Sequence, residues 1–169
     1  LRGNVDTRMK KLKNKEYDAI ILAYAGLKRL GMENEITEIL DQRIFLPAGG
    51  QGAVGIQSKI NSNFKNIFHL INNKNSEMTN IAERQFLRTI NANCNSPVGV
   101  KAEITKKNIT INCHILSHDG NLLFDYCLKD EINKFNDIGN ELGKIAIEKL
   151  GQDKINKLDE LKNDFDYTP

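Results

Sequence analysis

Val98-Gly99-Val100-Lys101-Ala102-Glu103-Ile104-Thr105, Ile109-Thr110-Ile111-Asn112-Cys113-His114-Ile115-Leu116 and Leu122-Leu123-Phe124-Asp125-Tyr126-Cys127-Leu128 follow one another with only short polar breaks. Each run is short and predicts a strand. The breaks, Lys106-Lys107-Asn108 and His118-Asp119-Gly120-Asn121, join them as antiparallel neighbours, and Asp-Gly in the second is the strongest hairpin signal in the chain. Cys113 shares a face with Ile109, Ile111 and Ile115, which predicts core packing for its thiol. Cys127, inside the third run, is expected to be buried as well. Outward from the strands, Ser76 is read as the cap of a helix on which Met78, Ile81, Ala82, Gln85, Phe86 and Ile90 repeat at three and four. Residues 91–97 then form a loop holding Cys94. Residues 138–150 form a second helix ended by Gly151, and 154–166 mix charges of both signs as a solvated terminal helix does.

The amino-terminal part has a different rhythm. Val5, Met9 and Leu12 recur at helical spacing after the turn-like Arg2-Gly3-Asn4, and Lys10, Lys11, Lys13 and Lys15 gather where a helix end favours positive charge. Tyr17-Asp18-Ala19-Ile20-Ile21-Leu22-Ala23 has the form of a strand buried on both faces of a parallel sheet. A short helix over 25–30, stopped by Gly31, and another turn or two over 34–40 complete a helix, strand, helix order. Ile44-Phe45-Leu46 predicts a strand ended by Pro47. Gly49, Gly50, Gly52 and Gly55 then surround Gln51, a crossing that lets backbone approach a neighbour or a ligand, or absorbs a hinge rotation. This spacing matches neither GxxxxGK[ST] nor GxGxxG, which argues against a nucleotide. Residues 53–58 resume as a strand, 64–71 form an amphipathic helix, and Asn72-Asn73-Lys74-Asn75 is a polar linker at a boundary. The expected fold class is α/β plus α+β: a doubly wound or binding-protein-like α/β part, then a small domain of three antiparallel strands with helices.

The 169 residues are 40% hydrophobic and 27% charged, with 24 Lys and Arg against 22 Asp and Glu. That balance describes a globular chain, neither disordered nor basic enough to bind nucleic acid. The longest apolar run, residues 19–27, falls well short of the roughly 20 residues that span a bilayer, so no membrane association is expected. Cys94, Cys113 and Cys127 contain no CxxC pair and cannot all be paired, which points to a reducing compartment. His114 and His118 flank the second hairpin without the spacing of metal ligands, so no metal is expected. Leu1 opens the sequence without Met inside an organised segment, so a piece of a longer protein is expected.

Leu1-Arg2-Gly3-Asn4-Val5, Thr7-Arg8, the run 17–23, Ala25-Gly26-Leu27, Arg29-Leu30-Gly31, Leu46-Pro47-Ala48, Gly50-Gln51-Gly52-Ala53, Ala82-Glu83-Arg84, Cys94 and Pro97-Val98-Gly99 stand in this order. Together they closely resemble the C-terminal half of the porphobilinogen deaminase (hydroxymethylbilane synthase) family. The resemblance implies a transferase of tetrapyrrole and haem biosynthesis. Such an enzyme polymerises four porphobilinogen units into hydroxymethylbilane, with release of ammonia, on a dipyrromethane cofactor bound through a Cys thioether. It also implies three domains. Residues 1–42 would be the latter part of the second α/β domain, 43–72 a hinge crossing and return segment of the first, and 73–169 the C-terminal α+β domain with the cofactor Cys. The implied partners are porphobilinogen, the growing polypyrrole and the N-terminal half of the enzyme, and the complete enzyme is expected to be a monomer.

Cys94 matches the attachment position, where a thiolate adds to an electrophilic methylene-pyrrole. The family usually has Gly-Gly just before that Cys, and Ala92-Asn93 stand there in this chain. Arg2, Arg8 and Arg29 match positions that bind the acetate and propionate groups of substrate and cofactor, for which planar, bidentate Arg is better suited than Lys. In a chain with 18 Lys and six Arg their placement fits that demand, with ordinary surface charge as the alternative. Gly3 and Asn4, in the same turn, offer backbone and amide contacts to the cofactor. Gln51 either contacts the bound pyrroles or holds the crossing segment. The family's general acid/base Asp falls outside this sequence, so the chain alone is expected to be inactive. The alternative is a non-catalytic relict or split half that binds a small anionic ligand or a partner chain.

Overall fold

The computed structural model describes residues 1–159, which contain one three-stranded antiparallel sheet. Its strands β1 (Val98–Thr105), β2 (Asn108–Leu116) and β3 (Leu122–Glu131) lie in the order β1-β2-β3. Cys113 stands opposite Val100 on one side and Tyr126 on the other. Along β2 the period of two is strict: Ile109, Ile111, Cys113 and Ile115 are fully buried, and the residues between them are half-exposed. The first hairpin turns through Lys106, at φ 57°, and the second through Gly120, at φ 83°, a left-handed conformation glycine adopts without steric cost. β3 continues through Lys129, Asp130 and Glu131, which hydropathy hides but the ladder with Thr110, Ile109 and Asn108 holds.

The helices are α1 (Val5–Lys13), α2 (Tyr24–Arg29), α3 (Lys65–Ile71), α4 (Lys74–Thr89), α5 (Ile138–Leu150) and α6 (Gln152–Asn156). Helices α4 and α5 carry Ala82, Phe86, Leu142 and Ala146 into the same core as the sheet. The two helices approach so closely that a Cβ built on Gly139 would lie 2.0 Å from the Ala82 carbonyl oxygen. One built on Gly143, a turn later, would lie 2.5 Å from Thr89 Cβ. α6 adds Ile155 to that core and Leu158 follows it, while Lys154, Asn156 and Lys157 stay exposed; residues 160–166 of the expected terminal helix lie outside the described residues.

The cap of α4 is Asn73, not Ser76: Asn73 Oδ1 accepts the Ser76 N–H at 3.0 Å. Lys74 and Asn75 form the first turn instead of a linker, because the Asn side chain satisfies an N–H the helix itself leaves unpaired. Asn73→Ala is expected to lower stability by about 1 kcal/mol, read as a lower melting temperature with an unchanged circular-dichroism spectrum.

Three expected strands do not form. Residues 17–23 stay irregular, with Ile21 63% exposed; 44–46 run from a turn at Ile44 into irregular chain; and 53–58 form no strand, with Val54 78% exposed. A strand needs a neighbour for its N–H and C=O groups, and the strands among the described residues pair only with one another in the β1-β2-β3 sheet. No parallel sheet forms among the described residues.

The chain divides into two compact units, Leu1–Asp41 and a second that begins at Gln42. In the first, Met9 and Leu27 are the buried apolar side chains of α1 and α2, and Lys13 pairs with Glu35 at 2.8 Å on the surface. No helix among the described residues is long and apolar enough to cross a membrane.

Candidate functional site

The loop that holds Cys94 begins at a well-made helix end. Asn91 adopts φ 53°, its N–H donates to Arg88 C=O at 3.1 Å, and Ala92 N–H donates to Leu87 C=O at 2.9 Å. This pair of bonds is the Schellman arrangement that closes a helix on a left-handed residue. The left-handed position is therefore Asn91; neither Ala92 nor Asn93 needs the freedom of glycine. Asn93 then organises the turn. Its Oδ1 accepts Asn95 N–H at 2.7 Å, its own N–H donates to Ser96 Oγ at 2.9 Å, and its carbonyl accepts Ser96 N–H at 3.3 Å. Cys94 sits within this turn, exposed and free, with Sγ 3.9 Å from Asn95 Oδ1.

The other two thiols are placed differently. Cys113 is fully buried, and burial, reinforced by the Asp125 charge, pushes its pKa up to about 12 against the opposing Tyr126 backbone hydrogen bond. Cys127 is exposed on β3, where the expectation was burial. The alternation explains it: Phe124, Tyr126 and Leu128 belong to the core, so the residue between the last two faces away.

In the first unit, the Arg2-Gly3-Asn4 turn leads directly into α1. Arg8 Nε donates to Gly3 C=O at 2.7 Å, and Asn4 C=O accepts Arg8 N–H at 3.0 Å, so Gly3, Asn4 and Arg8 form one connected turn. Gly3 holds φ 116°, a conformation other residues rarely adopt. Arg2 is exposed in that turn, and Arg29 is exposed at the end of α2.

In the second unit, Gln51 lies in a turn in which its N–H donates to Ala48 C=O at 3.1 Å. With Gly50, Gly52, Ala53, Ser76, Thr79 and Asn80 it lines a polar cleft of about 250 Å³ that also reaches Glu83. Glu83 lies in the Ala82-Glu83-Arg84 segment, where the sequence alone predicts no role for it. It is the one buried charged residue among the described residues, its Oε2 accepting Gly50 N–H at 2.7 Å and its Oε1 accepting Ala102 N–H at 2.8 Å. Burial raises its pKa, and the two backbone hydrogen bonds and the Lys101 charge oppose that rise.

Residues 1–65 match the family model "Porphobilinogen deaminase, dipyromethane cofactor binding domain", and residues 78–148 match "Porphobilinogen deaminase, C-terminal domain". The chain belongs to the porphobilinogen deaminase family. The first match takes in Arg2, Gly3, Asn4, Arg8, Arg29 and Gln51, and the second takes in Glu83 and Cys94. The chain is 40% identical over 154 residues to the porphobilinogen deaminase of Clostridium acetobutylicum, covering 91% of this chain and 51% of that one. To that of Prochlorococcus marinus it is 42% identical over 159 residues, 92% of this chain and 49% of the relative. To that of Campylobacter concisus it is 34% identical over 165 residues, 95% and 53%. The chain thus spans about half the length of the curated relatives it matches.

Proposed function

We propose that this chain is the C-terminal portion of a porphobilinogen deaminase, the transferase that joins four porphobilinogen units into hydroxymethylbilane with release of ammonia. Cys94 carries the reading: a free, exposed thiol on a turn fixed by Asn93 and Ser96, in a chain whose first 65 residues match a model named for the dipyrromethane cofactor. The position fits covalent attachment, because the sulfur is reachable and the turn that presents it is ordered by its own hydrogen bonds. When bound, dipyrromethane supplies the pyrrole end from which the product chain grows. Cys94 holds it through a thioether. Arg2, Arg8 and Arg29 bind carboxylates of cofactor and substrate, Gly3 and Asn4 offer turn contacts, and Gln51 either contacts the pyrroles or holds the crossing segment.

The proposal takes 1–42 as the latter part of a second α/β domain, 43–72 as the crossing and return into a first, and 73–169 as a third. On this reading the N-terminal half supplies strand neighbours for 17–23 and 53–58 and the general acid/base Asp. The complete enzyme is then a cytoplasmic or stromal monomer. The test joins the chain to the N-terminal half of a relative such as the Clostridium acetobutylicum enzyme and measures intact mass. A covalent dipyrromethane adds roughly 420 Da, and a protein without that increment, after incubation with porphobilinogen, argues for the non-catalytic reading instead.

Arg2→Lys and Arg8→Lys in the joined enzyme are each expected to raise KM for porphobilinogen roughly tenfold, since a forked, bidentate donor becomes a point charge. At Arg8 the Nε bond that closes the turn on Gly3 is lost too. Unchanged KM in both variants would remove them from the site.

A further inference from the structure

We propose that Glu83 is a positioning residue: its carboxylate latches the glycine-rich segment around Gln51 onto helix α4 and the edge of strand β1. The inference deepens the proposed function only in the role it gives Gln51; the latch itself stands on contacts within this chain. Two N–H donors from segments far apart in sequence, Gly50 and Ala102, converge on the two oxygens of one side chain. A carboxylate accepts both, whereas a Gln in the same place would turn its NH2 toward one of them.

The same strip is docked at other points. Val100 N–H donates to Pro47 C=O at 2.9 Å, so Pro47 and Glu83 satisfy alternate outward donors on the edge of β1. A Cβ on Gly49 would stand 2.6 Å from Leu87 Cδ1 and 2.9 Å from Val100 Cγ1, and one on Gly99 would stand 2.8 Å from Leu46 Cβ. Small residues therefore let the strip lie against the unit, and Glu83 fastens its end beside the cleft that Gln51 lines. The charge that faces Glu83 is that of Lys101 on β1, whose Nζ also binds Gln42 and Glu103. The carboxylate is kept buried although burial disfavours its charge, which suits a group retained for geometry rather than for net stability.

The experiment follows amide signals of the full 169-residue chain by nuclear magnetic resonance. In the wild type, the Gly50 and Ala102 amide protons are expected to shift together with pH through one common midpoint, above that of an exposed glutamate. In Glu83→Gln that shared titration disappears, and the Gly50 amide exchanges with solvent about tenfold faster or more while Ile109 and Ile111 in β2 keep wild-type protection. Separate midpoints, or no titration at the two amides, would overturn the latch. So would wild-type exchange at Gly50 in the variant, or faster exchange there matched by Ile109 and Ile111, which marks a general loss of stability. If the variant fails to fold, the wild-type titration alone decides. An absent cofactor increment at Cys94 with the shared titration intact would count against the proposed function and leave this inference standing.

Discussion

Gly139→Ala is expected to destabilise the second unit by about 3 kcal/mol or more, a melting temperature lower by roughly 10 °C, because the crossing of α4 and α5 has no room for a methyl group. The added Cβ would lie 2.0 Å from the Ala82 carbonyl oxygen and 2.9 Å from the Phe86 nitrogen, and both of those atoms are backbone. A side chain can rotate away from an intruder; a helix backbone cannot, so the two helices must separate. Separation opens the core around Ala82, Phe86, Leu142 and Ala146, all fully buried. Helix propensity alone favours Ala over Gly by about 1 kcal/mol, so the sign of the measured change decides which effect wins. Gly55→Ala is the control: nothing lies within 4 Å of its built Cβ, and its melting temperature is expected to match the wild type. Equal melting temperatures for the Gly139 and Gly55 variants would show that the helices give way without cost.

What the sequence made legible divides along the range of the interactions. β1, β2 and β3 could be read because each pairs with its neighbour in the chain, and the alternation along Ile109, Ile111, Cys113 and Ile115 states which face is buried. α4 could be read from its apolar period, and the end of α5 from Gly151. The run 17–23 shows where that logic ends, since an apolar stretch records a tendency to be buried but not the neighbour that would bury it. The same limit hid Gly139 and Gly143, which look like weak points of a helix until a second helix lies against them. At the site, Cys94 and the three Arg came from resemblance, whereas the hydrogen bonds of Asn93 with Ser96 and Asn95 needed coordinates. Glu83 did leave a signal. It stands three residues before Phe86 and seven before Ile90, so a charge falls on the buried stripe of α4, and such a charge needs partners. Cys127 left one too: it is out of phase with Phe124, Tyr126 and Leu128.

Cys94→Ser in the joined enzyme is expected to remove the cofactor mass increment completely, and elongation activity with it, while the melting temperature stays that of the wild type. Ser differs little in size, and an exposed residue on a turn held by Asn93 and Ser96 contributes little packing, so the fold has no reason to change. What changes is chemistry: a hydroxyl is a far poorer nucleophile than a thiol. The other two cysteines separate attachment from stability. Cys113→Ser places a hydroxyl in the fully buried row of β2 and is expected to cost about 1–3 kcal/mol while the increment remains. Its thiol is fully buried, out of reach of a cofactor, and that burial pushes its pKa up to about 12, which disfavours the thiolate an attachment needs. Cys127→Ser, on the exposed side of β3, is expected to stay within about 0.5 kcal/mol of the wild type and to keep the increment as well. A Cys94→Ser protein that still carries the increment, or a Cys127→Ser protein that lacks it, would move the attachment site off the turn between α4 and β1.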